Sequence, residues 1–318
     1  MELRPLGFGE IFDRAITLYI RNFLPFAGIV GVIIVPLAVL QYFVDQSSVP
    51  QWDQMMQVLA HPDQTPPPPV LPSFLTSPAA LALFVLLIAV VWFLWPFALN
   101  ACAVGVARLY RGRPVEFVPC YQASLRRWPA VVGLLLIEVA LILAWYLAFV
   151  IVSALAIIVA VALARVAIVL GVLAGIFAGG VIIAGLLTIA PTVVALMFAM
   201  NSIVIEEQPV FSAIGLGFSR VFNRQEFWRS VLFAIAAGAV MIGASTLISV
   251  VVMVAMVAHL VALEVVLSSV FRAAVAPFSV VLLAIYYFDV RIRREGYEIE
   301  AGLDRLAGTP NAGVPTVA

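Results

Sequence analysis

Between Ala130 and Ile205 the chain carries only two charged residues, Glu138 and Arg165. A run this long and this apolar cannot be one buried element of a soluble core. It is long enough to cross a ~30 Å hydrocarbon slab more than once, and inside lipid the backbone must satisfy its own hydrogen bonds, which α-helix does within a single segment. The rest of the chain has the same character. Charged residues make up 11%, against about 25% in a soluble domain, hydrophobic residues make up 64% and the mean hydropathy is +1.16. The fold class expected is all-α, a polytopic helical membrane protein.

Six spans are expected. They are Phe23 to Val44, Ala79 to Ala107, two within Ala130–Ile205, Val231 to Val257 and Leu260 to Phe288. Four spans within Ala130–Ile205 are the alternative, and either number leaves the two termini on the same side. The whole forms one integral membrane domain over 1–306, closing in a charged tail, with 307–318 as a disordered end. Asp45 to Pro78 is polar and proline-rich (His61-Pro62-Asp63-Gln64-Thr65-Pro66-Pro67-Pro68-Pro69) and contains no Arg. It reads as an exposed polyproline II spacer. The first apolar run is too long for the core of a signal peptide and no small-residue cleavage pattern follows it, so it counts as a span.

All 17 basic residues are Arg. This usage, with abundant Ala and Val, resembles that of a GC-rich bacterial genome. Apart from Arg165 and Arg272, every Arg falls in the N-terminal segment, in the loops after spans two and four, or in the C-terminal tail. The positive-inside rule then puts both termini in the cytoplasm of a bacterial plasma membrane and the proline-rich loop outside. Cysteine introduced at Ser47 or Ser73 should react with an impermeant reagent in intact cells, and cysteine at Ser219 should not; the opposite labelling would invert the topology.

The chain also repeats itself. In the opening stretch Glu10, Asp13, Arg14, Thr17 and Arg21 are spaced as one face of an α-helix, and Ile11, Phe12, Ala15, Ile16, Tyr19, Ile20 and Phe23 cover the remainder. Such a helix lies in the membrane interface, near anionic head groups. Phe117 to Trp128 and Phe211 to Trp228 follow Pro114-Val115 and Pro209-Val210 and have the same character. Pro96, Pro191 and Pro277 sit at matching depths in the even-numbered spans, where each is a candidate helix kink. The expected unit is an interfacial amphipathic helix followed by two transmembrane helices, used three times over about 1–107, 108–205 and 206–288.

The opening Arg4-Pro5-Leu6-Gly7-Phe8-Gly9-Glu10-Ile11-Phe12-Asp13-Arg14-Ala15, with Leu18-Tyr19 and Arg21-Asn22-Phe23, resembles the start of bacterial proteins carrying the membrane domain named after glycerophosphoryl diester phosphodiesterase. The closing Tyr286-Tyr287-Phe288-Asp289-Val290-Arg291-Ile292-Arg293-Arg294-Glu295-Gly296-Tyr297-Glu298 resembles the usual ending of that group. The resemblance implies a helical integral membrane protein. The group's name comes from fusions to a catalytic barrel, for which this chain has no segment, so the enzymatic name does not carry over.

Catalytic chemistry is sparse. His61 and His259 are far apart and both expected outside, so no metal site is drawn from them. Cys102 and Cys120 read as packed thiols. Phosphodiester hydrolysis needs carboxylates or His clustered on a metal, whereas Glu206, Glu207, Glu295, Glu298, Glu300 and Asp304 are scattered among Arg and read as solvated faces. No phosphate loop or hydrolase motif occurs, and no cofactor and no nucleic-acid partner are expected. Gly171, Gly175 and Gly179 give a helix-packing spacing. Charges in apolar runs are the informative ones. Arg165 and Glu264 lie near span ends and are expected to snorkel; Glu138 and Arg272 lie deeper and are a candidate buried ion pair. The function expected is that of a non-enzymatic subunit or assembly factor of an envelope complex, with a transporter or channel for a small or lipid-like solute as the alternative.

Overall fold

The computed structural model describes residues 4–60, 77–258 and 260–295. Among these no strand occurs, and nine helices follow one another. They are α1 (Phe8–Arg21), α2 (Phe23–Ala60), α3 (Pro78–Tyr110), α4 (Phe117–Arg126), α5 (Trp128–Val166), α6 (Ile168–Ile205), α7 (Val210–Val221), α8 (Phe227–Val257) and α9 (Val261–Glu295). Helices α2, α3, α5, α6, α8 and α9 are long and apolar enough to cross a membrane. The order is short, long, long, three times. Ala130–Ile205 therefore holds two long helices, not four. His61, His259 and the proline run Pro66–Pro69 lie outside the described residues.

Several helices outrun their apolar stretch. α2 continues past Val44 to Ala60, and α9 past Phe288 to Glu295. Hydropathy marks where a chain leaves lipid, not where its helix stops. Gln54, Gln57, Leu59 and Ala60 are good helix formers in water as well. A π-helical turn over Val90–Leu94 ends two residues before Pro96, a wider winding of the kind that occurs where the regular hydrogen-bond ladder is interrupted. Pro191 and Pro277 lie inside α6 and α9 with helix on both sides.

The structure divides into two compact units, 4–126 with 239–295, and 127–238. α8 gives its first turns to the second unit and the rest to the first.

In the first unit α9 is the central element, packed on α1, α2 and α3. Its C-terminal end is enclosed: Tyr286, Tyr287, Phe288 and Asp289 are fully buried, and Tyr110 of α3 stacks on Phe288 with ring centroids 4.4 Å apart. α1 begins where the Glu10 carboxylate accepts the Gly7 N–H at 2.7 Å, the reach-back half of a capping box. It buries Ile11, Ala15, Leu18 and Tyr19, at i, i+4, i+7 and i+8. Ile16 and Ile20 stay exposed on another side. One apolar face thus meets protein, and the second is the face a bilayer would cover. The α3–α4 turn passes through Gly112 at φ +75, a left-handed conformation that glycine adopts without strain. It lays α4 back on α2 and α3, where Tyr121 donates to Ile29 O (2.6 Å) and Ser124 to Phe97 O (3.1 Å).

In the second unit α5 and α6 form a hairpin whose turn is the single extended residue Ala167. α7 lies along the C-terminal half of α6. Gly217 makes this possible, since a Cβ there would fall 2.2 Å from Ala195 O. The α6–α7 link holds Glu207 at φ +58, a conformation rare outside glycine, and Glu207 is ion-paired with Arg127.

Candidate functional site

Among the polar contacts of the first unit, two bear on function, one at α1 and one between two spans. At the first, the polar face of α1 borders an open cavity of about 490 Å³, lined among others by Arg4, Glu10, Asp13, Arg14, Thr17 and Arg21. All the polar residues expected on this face line it. Arg4 clasps Glu10 at 2.8 and 3.1 Å. That contact, with the Gly7 N–H, holds the Glu10 carboxyl down at about 2. On the protein-facing side Tyr19 donates to Ala274 O of α9, and burial pushes its hydroxyl up to about 12.

The second place lies between α2 and α9. Gln41 and Asp45 are one turn apart on α2, and Glu264, Ser268 and Arg272 are one turn apart on α9, so each helix presents its set as a single stripe. The helices run antiparallel. Arg272 donates to Gln41 Oε1 at 2.7 Å, while Asp45 and Glu264 approach within hydrogen-bonding contact of each other and Gln41 also bonds Asp45. Arg272 lies near enough to act on both carboxyls by charge. Glu264 is only 6% exposed. It does not snorkel, because α2 covers it and Asp45 gives it a polar partner. Asp45, which the sequence assigns to the start of a loop, is part of a helix that continues past it. Arg272 thus has partners in its own unit. Glu138 lies in the second unit, on α5 about three turns from its start.

The second unit has its own polar contact. Arg220 of α7 is 3% exposed and bonds Glu206 at 2.8 and 3.1 Å and Ser202 Oγ at 2.8 Å. The expectation that Glu206 lies on a solvated face is therefore wrong: its side chain is 11% exposed and locked to Arg220. Sequence spacing gives no sign of this pair, because the turn after α6 that brings the two together is set by Glu207.

Among the described residues no three His, Cys, Asp or Glu gather as metal ligands. Cys102 and Cys120 are buried and unlinked, and burial pushes the Cys120 thiol up. The side-chain contacts at these places are ion pairs and hydrogen bonds.

Fold and site together define an all-α, multi-pass membrane protein. Compared with known proteins, the chain matches no family model, no curated protein and no solved structure.

Proposed function

We propose that the protein is a non-enzymatic subunit or assembly factor of a membrane complex. One observation carries this reading, the length of the α5–α6 hairpin. α5 has 39 residues and α6 has 38. At about 1.5 Å per residue each is nearly 58 Å long, against a hydrocarbon core of about 30 Å. Fitting such a helix inside the core takes a tilt of about 60°, beyond the usual range of 0–40°. Yet the far ends stay apolar and exposed: Ile157, Ile158, Val161, Ile168, Val169 and Ile176 are all uncovered. Apolar surface beyond the reach of lipid supports a second membrane protein that covers it. The resemblance of the two chain ends to a family of helical membrane domains agrees with this, as do the cytoplasmic interfacial helices, which would rest on anionic lipid.

The test is photo-crosslinking from Val169 and Ile176 in native membranes, followed by mass spectrometry. A stoichiometric adduct with one other membrane protein is expected. Adducts with lipid alone would refute the reading, and adducts with a second copy of the chain would replace it by self-association.

A second reading, transport of a small or lipid-like solute, draws on the Gln41–Asp45–Glu264–Arg272 cluster. Charged groups facing one another between spans are the usual material of solute and ion paths.

A further inference from the structure

We propose that Asp45 and Glu264 form a site for one exchangeable proton, held between their carboxyl groups in the α2–α9 contact. The inference goes beyond either functional reading. It starts from a shortage of donors. An ionised carboxylate only accepts hydrogen bonds, yet these two carboxyls are in hydrogen-bonding contact with each other. Each has an oxygen, Asp45 Oδ2 and Glu264 Oε2, that is buried and receives no hydrogen bond. The amide oxygen of Gln41 is taken by Arg272. A proton on either carboxyl supplies the missing donor.

Charge points the same way. With one proton on the pair, its single negative charge is balanced by Arg272 and the cluster is neutral. Without the proton, two carboxylates stand side by side among apolar helices with a net charge of minus one, an arrangement that like charges resist. The other elements offer no compensation. α3 has no ionisable side chain between Pro78 and Ala101, and the part of α8 in this unit, 239–257, has none at all. Elsewhere on α9 the next charged residue after Arg272 is Asp289, at the far end of the helix. A metal ion would find two carboxyls and one amide already engaged, too few ligands for a closed oxygen site. The two acids titrate as a pair, in steps that belong to both. Release of the proton to water leaves the pair as two carboxylates, which separate and loosen this end of the α2–α9 contact.

Infrared difference spectroscopy of the full chain in lipid nanodiscs, titrated from acid to alkaline pH, reads this directly. The wild type should show a protonated-carboxyl C=O stretch that disappears as the pH rises. Asp45→Asn and Glu264→Gln should each remove that band, while Glu138→Gln should leave it. If either variant fails to fold, wild-type protein carrying ¹³C at the side-chain carboxyls of Asp, or of Glu, serves instead: the band should shift with one of the two labels and broaden or split with the other. A wild type without the band, a band untouched by both variants or both labels, or a band abolished at constant pH by sodium would each overturn the proposal, the last in favour of a metal-cation site.

Discussion

Arg220→Gln should destabilise the second unit by about 3 kcal/mol, the lower end of the cost of stranding a buried charge. Glu206 keeps 11% exposure, so some water can reach the carboxylate left behind, which is why the lower end applies. The guanidinium makes two bonds to Glu206 and one to Ser202 from a position only 3% exposed. Arg220→Lys should rescue little, because an ammonium cannot reproduce the paired bonds of the planar fork. The double variant Arg220→Met with Glu206→Leu should recover most of the loss, since no charge is stranded. Reversible unfolding in mixed micelles measures all three. Equal stability of Arg220→Gln and wild type would show that the pair contributes nothing, and additive losses in the double variant would show that the two side chains act independently.

Asp289→Ala should cost about 2–3 kcal/mol and release the N-terminal segment. Asp289 is fully buried and accepts the Leu6 N–H at 2.6 Å and Arg293 Nε at 3.0 Å. Arg293 in turn donates to Leu6 O. The backbone of Leu6 is therefore gripped on both sides by one turn of α9. Removing the carboxylate takes away a charge-assisted bond to a buried N–H and the anchor of an Arg. Limited proteolysis should then cut between Arg4 and Phe8 in the variant and not in the wild type. A variant as stable and as resistant as wild type would show that α1 docks through its apolar face alone.

Much of this fold is legible from residue order. The charge-free stretches, their number and the spacing of polar residues on α1 reflect local rules of helix and bilayer, and the six long helices lie where those rules put them. Helix ends were harder. Val44 and Phe288 mark a change of solvent, and the helices run on past them; Val290 to Arg294 hold no helix breaker, whereas α2 continues even through Pro50. The polar contacts were the least legible. Glu264 reads as a residue near a span end until Asp45 is placed beside it, and Arg220 reads as a loop charge until the turn at Glu207 brings Glu206 round to it. Tyr19 looks like one more lipid-facing aromatic of α1; its hydroxyl reaches Ala274 O, more than two hundred residues away. Such pairings are set by which helices become neighbours, and one chain's local pattern carries no record of that.

The docking of α1 on α9 also sets a timetable. Each later short helix meets its packing partner already made: α4 folds back on α3, and α7 on α6. α1 meets its partner last, since Leu6 and Asp289 are 283 residues apart. At a synthesis rate of about 5–20 residues per second, α1 waits roughly 15 s to a minute with Ile11, Ala15 and Leu18 uncovered. During that interval the membrane surface is the natural resting place for its apolar side. α1, made before every other described helix, is therefore among the last to be fixed, and a ribosome stalled before α9 leaves behind a nascent chain with a loose, lipid-seeking segment that quality-control proteases can grip.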